Sequence, residues 1–259
     1  MPGPGSPRCC RRGHGDSLCR VPDTDRTVAE NLARVRAAID AACQRADRDP
    51  SEVRLLPVSK NQPIDKIIAG YDAGMRIFGE NRVQEAAGKA AELSDRADLR
   101  WAMIGHLQTN KAKDVAAFAD EFQALDSRRL AETLDRRLDQ ADRTLDVFIE
   151  VNTSGEQSKN GLPADQVIEL AIALGQFRRL RPRGLMTIAA NTDDQDQVAA
   201  CFRTMTELRR QLQDDDRVDA DYAELSMGMS GDFELAIAHG ATTVRVGTAI
   251  FGSRPTPAP

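Results

Sequence analysis

The chain has 259 residues, 35 basic against 40 acidic side chains and 41% hydrophobic residues, enough apolar material for one large domain or two small ones. Its net charge of −5 argues against nonspecific attachment to nucleic acid or anionic membrane, both of which need a basic face. No apolar stretch approaches the roughly 18 to 20 residues of a membrane helix, and no apolar core segment follows the N-terminal arginines. Neither a membrane span nor an ordinary signal peptide is predicted, and a cytoplasmic location is expected.

Residues 1–26 hold five arginines and three aspartates, a net of +2, so the remaining 233 residues carry −7. Four prolines, four glycines and three cysteines also fall there, with too few apolar side chains to offset the entropy of ordering. A disordered tail is predicted for 1–26. Cys9, Cys10, His14 and Cys19 match none of the usual paired zinc spacings, so no metal site is expected. Cys43 and Cys201 stand far apart in helix-like segments and suggest no disulfide scaffold.

From Thr27 to Arg48, apolar residues at Val28, Leu32, Val35, Ala38, Ile39 and Ala42 form a helical stripe with Glu30 in the first turn. A repeating pattern follows, in which a short apolar run ends in a polar or glycine-bearing turn and leads into an amphipathic segment. The first strand is Val53 to Ser59, with a helix from Pro63; the second is Met75 to Gly79, with Asn81 to Leu93. Trp101 to Gly105 is the third, before Ala112 to Phe118, and Phe122 to Leu125 the fourth, before Arg128 to Ala141. Leu145 to Val151 is the fifth, before Ala164 to Leu174, and Arg183 to Ile188 the sixth, before Gln195 to Leu212. Tyr222 to Ser226 is the seventh, before Asp232 to His239, and Thr243 to Val246 the eighth, which Ala249 to Phe251 extends or follows with a last turn. Eight such alternations imply parallel strands with right-handed crossovers. A single closed (β/α)8 TIM barrel over 27–254, with a short tail at 255–259, fits better than an open doubly wound sheet. The first strand lacks a Gly-x-Gly-x-x-Gly turn.

In such a barrel the site lies at the C-terminal strand ends. Those ends carry Ser59 and Lys60, Glu80 and Asn81, His106 and Gln108, Asp126, Asn152, Met186 and Thr187, Ser226 to Ser230, and Gly247 with Thr248. Lysine occurs only six times, at 60, 66, 89, 111, 113 and 159, and strand alternation brings Lys60 alone to the barrel mouth. Apolar walls disfavour its charged form and free its lone pair for attack on a carbonyl, although from position alone a lysine snorkelling to solvent is by far the commoner case, and only the other strand ends shift that balance. The run Ser226-Met227-Gly228-Met229-Ser230-Gly231-Asp232 and the turn Arg245-Val246-Gly247-Thr248 offer hydroxyls, amides and small residues suited to a phosphate. Together these features describe a pocket for a phosphorylated carbonyl compound.

The runs Pro57-Val58-Ser59-Lys60, Phe78-Gly79-Glu80-Asn81-Arg82-Val83-Gln84-Glu85, Ile104-Gly105-His106-Leu107-Gln108-Thr109-Asn110-Lys111, Ser158-Lys159-Asn160-Gly161, Arg183-Gly184-Leu185-Met186, Leu225-Ser226-Met227-Gly228-Met229-Ser230 and Val244 to Gly252 closely resemble the pyridoxal 5′-phosphate homeostasis proteins of the YggS/PROSC family. The resemblance spans about residues 27–254. It implies the alanine-racemase-like, fold-type III barrel and an internal aldimine of pyridoxal 5′-phosphate on Lys60. It also implies phosphate contacts from Ser226, Ser230, Gly247 and Thr248, and Asn81 near the cofactor. Arg245 is a candidate for the phosphate or the pyridine nitrogen, with packing or a rim salt bridge as the competing role.

Fold-type III racemases add a C-terminal domain that supplies catalytic groups, whereas only about seven residues follow Gly252 here. Tyr71 and Tyr222, the sole tyrosines, fall away from the predicted mouth. The expectation is a noncatalytic carrier that serves PLP-dependent apoenzymes, with no catalytic residue and a monomeric state. A fold-type III amino-acid racemase or lyase using Lys60 and His106 is the alternative, and a cofactor-free Schiff-base aldolase a third. His239 is expected to cap a short helix, Glu80 and Glu85 to favour a helix start, and Lys111, Lys113 and Lys159 to be surface charge. Arg178, Arg179, Arg181 and Arg183 form a basic run expected at the barrel bottom.

Overall fold

Helix α1 (Val28–Arg45) starts at a reciprocal cap: Thr27 Oγ1 accepts from the Glu30 amide, and the Glu30 carboxylate accepts from the Thr27 amide. Its apolar stripe of Leu32, Val35, Ile39 and Ala42 is buried. The helix ends at Arg45, short of the expected Arg48, because Asp47 turns into the left-handed region at φ 52°. The computed structural model describes residues 26–156 and 159–252. The segments expected to be tails, Arg26 apart, and the cysteine-rich stretch with His14 lie outside those residues.

The alternation then runs β1 (Arg54–Pro57), α2 (Ile64–Asp72), β2 (Ile77–Glu80), α3 (Val83–Glu92), β3 (Arg100–Met103), α4 (Ala112–Phe118) and β4 (Glu121–Leu125). It continues with α5 (Arg128–Gln140), β5 (Leu145–Glu150), α6 (Val167–Leu174), β6 (Leu180–Met186), α7 (Gln195–Asp214), β7 (Glu224–Ser226), α8 (Phe233–Ala238), β8 (Thr243–Val246) and α9 (Thr248–Phe251). All eight strands pair in parallel in the order β1-β8-β7-β6-β5-β4-β3-β2. The two edges meet where Val58 bridges Gly79 and the Ser59 amide donates to the Gly79 carbonyl at 3.0 Å. This is the (β/α)8 barrel predicted, not the open sheet.

Several strand ends shift from expectation, those of β6 and β7 for identifiable local reasons, and the alternative left open after β8 is decided. β6 begins at Leu180, so Arg181 and Arg183 lie within the strand, paired at the floor with Asp146 on β5 (3.0 Å) and Glu224 on β7 (3.1 Å). β7 begins only at Glu224, since Tyr222 has φ 43°, which no strand accommodates. After β8 the chain makes the helical turn α9 in place of more strand.

Outside the strands, Phe78 packs between Trp101 and Phe251, with ring centroids 6.3 and 6.4 Å away. Inside, the lower barrel is polar. Arg54 crosses from β1 to Glu121 on β4 (2.8 and 3.0 Å), Gln123 bonds Glu121, and Ser226 on β7 donates to Gln123 (2.7 Å). α1 lies against α2, α8 and α9. Asn31 Nδ2 donates to the Ile250 carbonyl (3.0 Å) and Lys66 Nζ to the Phe251 carbonyl, fixing the turn that follows β8. Among the described residues no helix is long and apolar enough to cross a membrane.

Candidate functional site

A cavity of about 390 Å³ opens at the C-terminal ends of the strands, a volume within the range of small-molecule sites. Val58, bridged to Gly79 just past β1, and Lys60, in the turn that follows, both line the cavity. Asn81, one residue past β2, lines it too. Its backbone is held close by Gly105, where a Cβ would come within 2.3 Å of the Asn81 carbonyl oxygen.

Two turns supply the wall around Ser230, Gly231, Gly247 and Thr248. The first leaves β7 through Gly228, at φ 91°, where a Cβ would sit 2.6 Å from that of Ala236 and 2.9 Å from the Phe233 Cα. Asp232 Oδ1 accepts from the Met229 amide at 2.6 Å and closes this turn. The Asp232 carboxyl is pushed up by burial, against the pull of Arg245. The second turn, after β8, is the one anchored by α1 and α2.

Arg245 is 4% exposed and reaches the cavity from β8. It donates to the Ser226 carbonyl (2.7 Å), Ser226 Oγ (2.8 Å) and the Thr187 carbonyl (2.7 Å). Burial pushes its pKa down to about 10, against the pull of Asp232 and Glu150, so it stays cationic at neutral pH. Of the competing roles left open for Arg245, packing or a rim salt bridge, the salt bridge is not seen among the described residues, while the bonds to the oxygens of Ser226 and Thr187 hold the guanidinium within the packed wall of the cavity.

Six of the seven expected cofactor residues therefore line one cavity: Lys60, Asn81, Ser230, Arg245, Gly247 and Thr248. Ser226 is the exception. It is fully buried below the cavity, because β7 ends there with its side chain turned into the polar interior, between Gln123 and Arg245. His106 lines the cavity and also bonds Asp126, with Nδ1 to Oδ2 at 3.1 Å. Lys159, expected to be surface charge, is tied to the Ala189 carbonyl (3.0 Å) and Glu156 (2.7 Å). His239 caps α8, as expected.

Glu150 was not among the residues singled out in sequence. It ends β5, lines the cavity and is 5% exposed, with Oε2 lacking a hydrogen-bond partner. Burial first, then the negative charge of Asp126, raise its carboxyl to about 7 against Arg245. The signal was present: an acid inside the apolar run Val147 to Val151. Among the described residues no group of three or more His, Cys, Asp or Glu could hold a metal ion. Tyr71 bonds Asp98 outside the barrel and Tyr222 is fully buried, so neither tyrosine lines the cavity.

The residues present suit a phosphorylated carbonyl compound. An amine, two hydroxyl-bearing turns and a fixed cation line one cavity, with the Glu150 carboxyl beside them. Comparison with known proteins points the same way. The family described as alanine racemase, N-terminal domain, matches residues 30–255. The chain is 42% identical over 233 residues to the pyridoxal phosphate homeostasis protein of Pseudomonas aeruginosa, covering 90% of this chain and 98% of that one. It is 41% identical over 230 residues to the protein of the same name from Escherichia coli K12, covering 88% and 97%. It superposes on PipY of Synechococcus elongatus PCC7942 with PLP bound at a TM-score of 0.75 and 37% identity, covering 87% of this chain and 100% of that one.

Proposed function

The chain belongs to the pyridoxal phosphate homeostasis protein family, and from that premise we propose that it holds pyridoxal 5′-phosphate as an internal aldimine on Lys60 and surrenders it intact, without turnover. The observation that carries this reading is the position of Lys60 in one cavity with Ser230, Gly247, Thr248 and Arg245. The cofactor supplies an aldehyde for reversible capture and a phosphate for noncovalent anchoring. Lys60 offers the nucleophilic amine. Ser230 and Thr248 offer hydroxyls to the phosphate, Gly231 and Gly247 let the backbone approach it, and buried Arg245 provides positive charge that needs no reorganisation. Ser226 acts behind the wall, holding Arg245.

Reversible storage needs no group that moves a proton at the substrate α-carbon, and no tyrosine lines the cavity. Bound cofactor should give the visible absorbance of a protonated Schiff base, and borohydride followed by peptide mapping should mark Lys60. Lys60→Ala is expected to lose both signals. A Lys60→Ala protein that keeps the band would refute the assignment, and a wild-type protein that never acquires it would refute the function. The recipients proposed are PLP-dependent apoenzymes in the cytoplasm, and the carrier is proposed to be a monomer, which sedimentation checks.

One observation favours a second reading, a racemase or lyase: Glu150, with a pKa of about 7, shares the cavity with Lys60 and His106. Isotope exchange at the α-carbon of a panel of amino acids decides between them. Steady washout with turnover would replace the carrier reading.

A further inference from the structure

Behind the cavity wall, on the outer side of the β1 and β2 strand ends, lies a second cluster of charges. Lys89 on α3 is 7% exposed and Glu80 at the end of β2 is fully buried. Lys89 Nζ donates to the Ser59 carbonyl (2.8 Å), Glu80 Oε1 (2.8 Å) and Glu85 Oε1 (2.6 Å), which uses all three ammonium protons. Ser59 Oγ donates to the same Glu80 oxygen at 2.5 Å, and the Asn61 amide donates to Glu85 Oε1 at 2.6 Å. Ser59 and Asn61 are the residues on either side of Lys60.

We propose that Lys89, with Glu80 and Glu85, is a positioning device for Lys60: a buried ionic clamp that fixes the backbone before and after the reactive amine. The inference rests on the reading of Lys60 as that amine.

Strand pairing alone does not hold this segment. β1 ends at Pro57, and Lys60 sits in a turn closed by the Gln62 amide on the Ser59 carbonyl, with Asn61 at φ 57°. Asparagine enters the left-handed region at lower cost than most residues, so the turn forms readily and its position is set by the contacts it makes. Here Glu85 takes the Asn61 amide, while Lys89 and Glu80 take the carbonyl and the hydroxyl of Ser59. The lysine side chain between them is thereby launched from a backbone tied to β2 and α3.

Stability alone does not account for such a cluster. A buried ion pair is commonly replaceable by apolar groups at little cost when both partners go, whereas removing one partner leaves a buried charge. Burial already pushes the Glu80 carboxyl up, and its Oε2 has no hydrogen-bond partner. The geometric consequence of the cluster is the rigidity of residues 59–61.

The test uses the purified full-length protein, free of cofactor, and reads Lys60 itself. Competitive labelling with an acylating reagent, mapped by peptide, gives the rate and pH midpoint of the Lys60 amine; uptake of pyridoxal phosphate and the thermal midpoint are measured alongside. Glu80→Gln/Lys89→Met removes the pair together. It is expected to keep a thermal midpoint near that of the wild type, to shift the Lys60 labelling midpoint, and to slow uptake by about tenfold or more, the scale of a small misplacement of a reacting group. Lys113→Met, on the exposed face of α4, is expected to change neither. An unchanged Lys60 labelling profile in the double variant overturns the clamp, whatever the uptake does. If the double variant does not fold, Glu85→Ala at the more exposed edge carries the same test, with a shifted profile expected and an unchanged one overturning it. Failure of the wild type to take up pyridoxal phosphate would defeat the functional reading while the labelling arm still decides the clamp.

Discussion

Glu150 shows how one buried carboxyl couples the candidate site to stability. Its folded pKa, raised to about 7 by burial and by Asp126, exceeds its ordinary value of 4.5. Between those values the folded state binds the proton more tightly than the unfolded chain does. The contribution is therefore fully present below about pH 4.5 and lost as pH rises through about 7, amounting to up to about 3 kcal/mol at roughly 1.4 kcal/mol per unit. Glu150→Gln keeps the shape without the charge and should remove this loss. Cofactor-free wild type and variant are expected to unfold alike near pH 4.5, with the variant more stable at pH 8, as denaturant titrations would show. Parallel curves across that range would contradict the assignment of the proton to Glu150. The residue escaped attention in sequence because the fifth strand was read through Val151 and its end placed at Asn152, which left an inward-facing acid hidden within the run. Lys60 was legible for the opposite reason: a rare residue type directly after an apolar strand has few places to go but the barrel mouth.

Among the elements, the turn from β7 into α8 is the one whose shape the site needs most. Gly228 stands at φ 91° against Ala236 and the Phe233 backbone, so Gly228→Ala meets both a strained conformation and a close contact. A loss of roughly 1–3 kcal/mol is expected from denaturant unfolding, together with weaker binding of phosphate compounds, since Ser230 rides on the same turn. A variant with wild-type stability and affinity would mean that this turn does not set the Ser230 position. The glycine was readable in sequence as a turn residue, but the contact with α8 was not, because it depends on how the helix folds back. The same distinction explains the strand boundaries. Apolar runs marked the central residues of all eight strands, whereas the ends depended on tertiary partners: Asp146 and Glu224 keep Arg181 and Arg183 in β6, and the backbone of Tyr222 delays β7. Ser226 lies outside the cavity lining for a related reason. Its position at a strand end was correct, but its hydroxyl turns down to Gln123 and Arg245, and a polar lower layer of the barrel, built from residues of several strands, is not visible in the residues of one strand.

At the scale of the molecule, the barrel closes at the seam between β1 and β2, and the candidate site straddles that seam. Lys60 follows β1 and Asn81 follows β2, while Ser230, Gly247 and Thr248 come from the turns after β7 and β8 on the far side of β1. A ligand that engages all of them ties both sheet edges to one another and to α9, which α1 and α2 already brace. Binding to the folded chain alone stabilises it by mass action, about 2.7 kcal/mol at a free ligand concentration of about 100 times Kd. For a chain of this size that corresponds to a rise of roughly 5–10 °C in the thermal midpoint. Pyridoxal phosphate is expected to produce a rise of this order in the wild type and a much smaller one in Lys60→Ala, where only the phosphate turns and Arg245 remain to hold it. Inorganic phosphate should then compete away the residual shift in Lys60→Ala while barely affecting the wild type, because the proposed Schiff base to Lys60, in the turn after β1, would persist when the β7 and β8 turns are challenged. Equal shifts in the two proteins would mean that stabilisation comes from the β7 and β8 turns alone, and that Lys60 does not join the seam through the ligand.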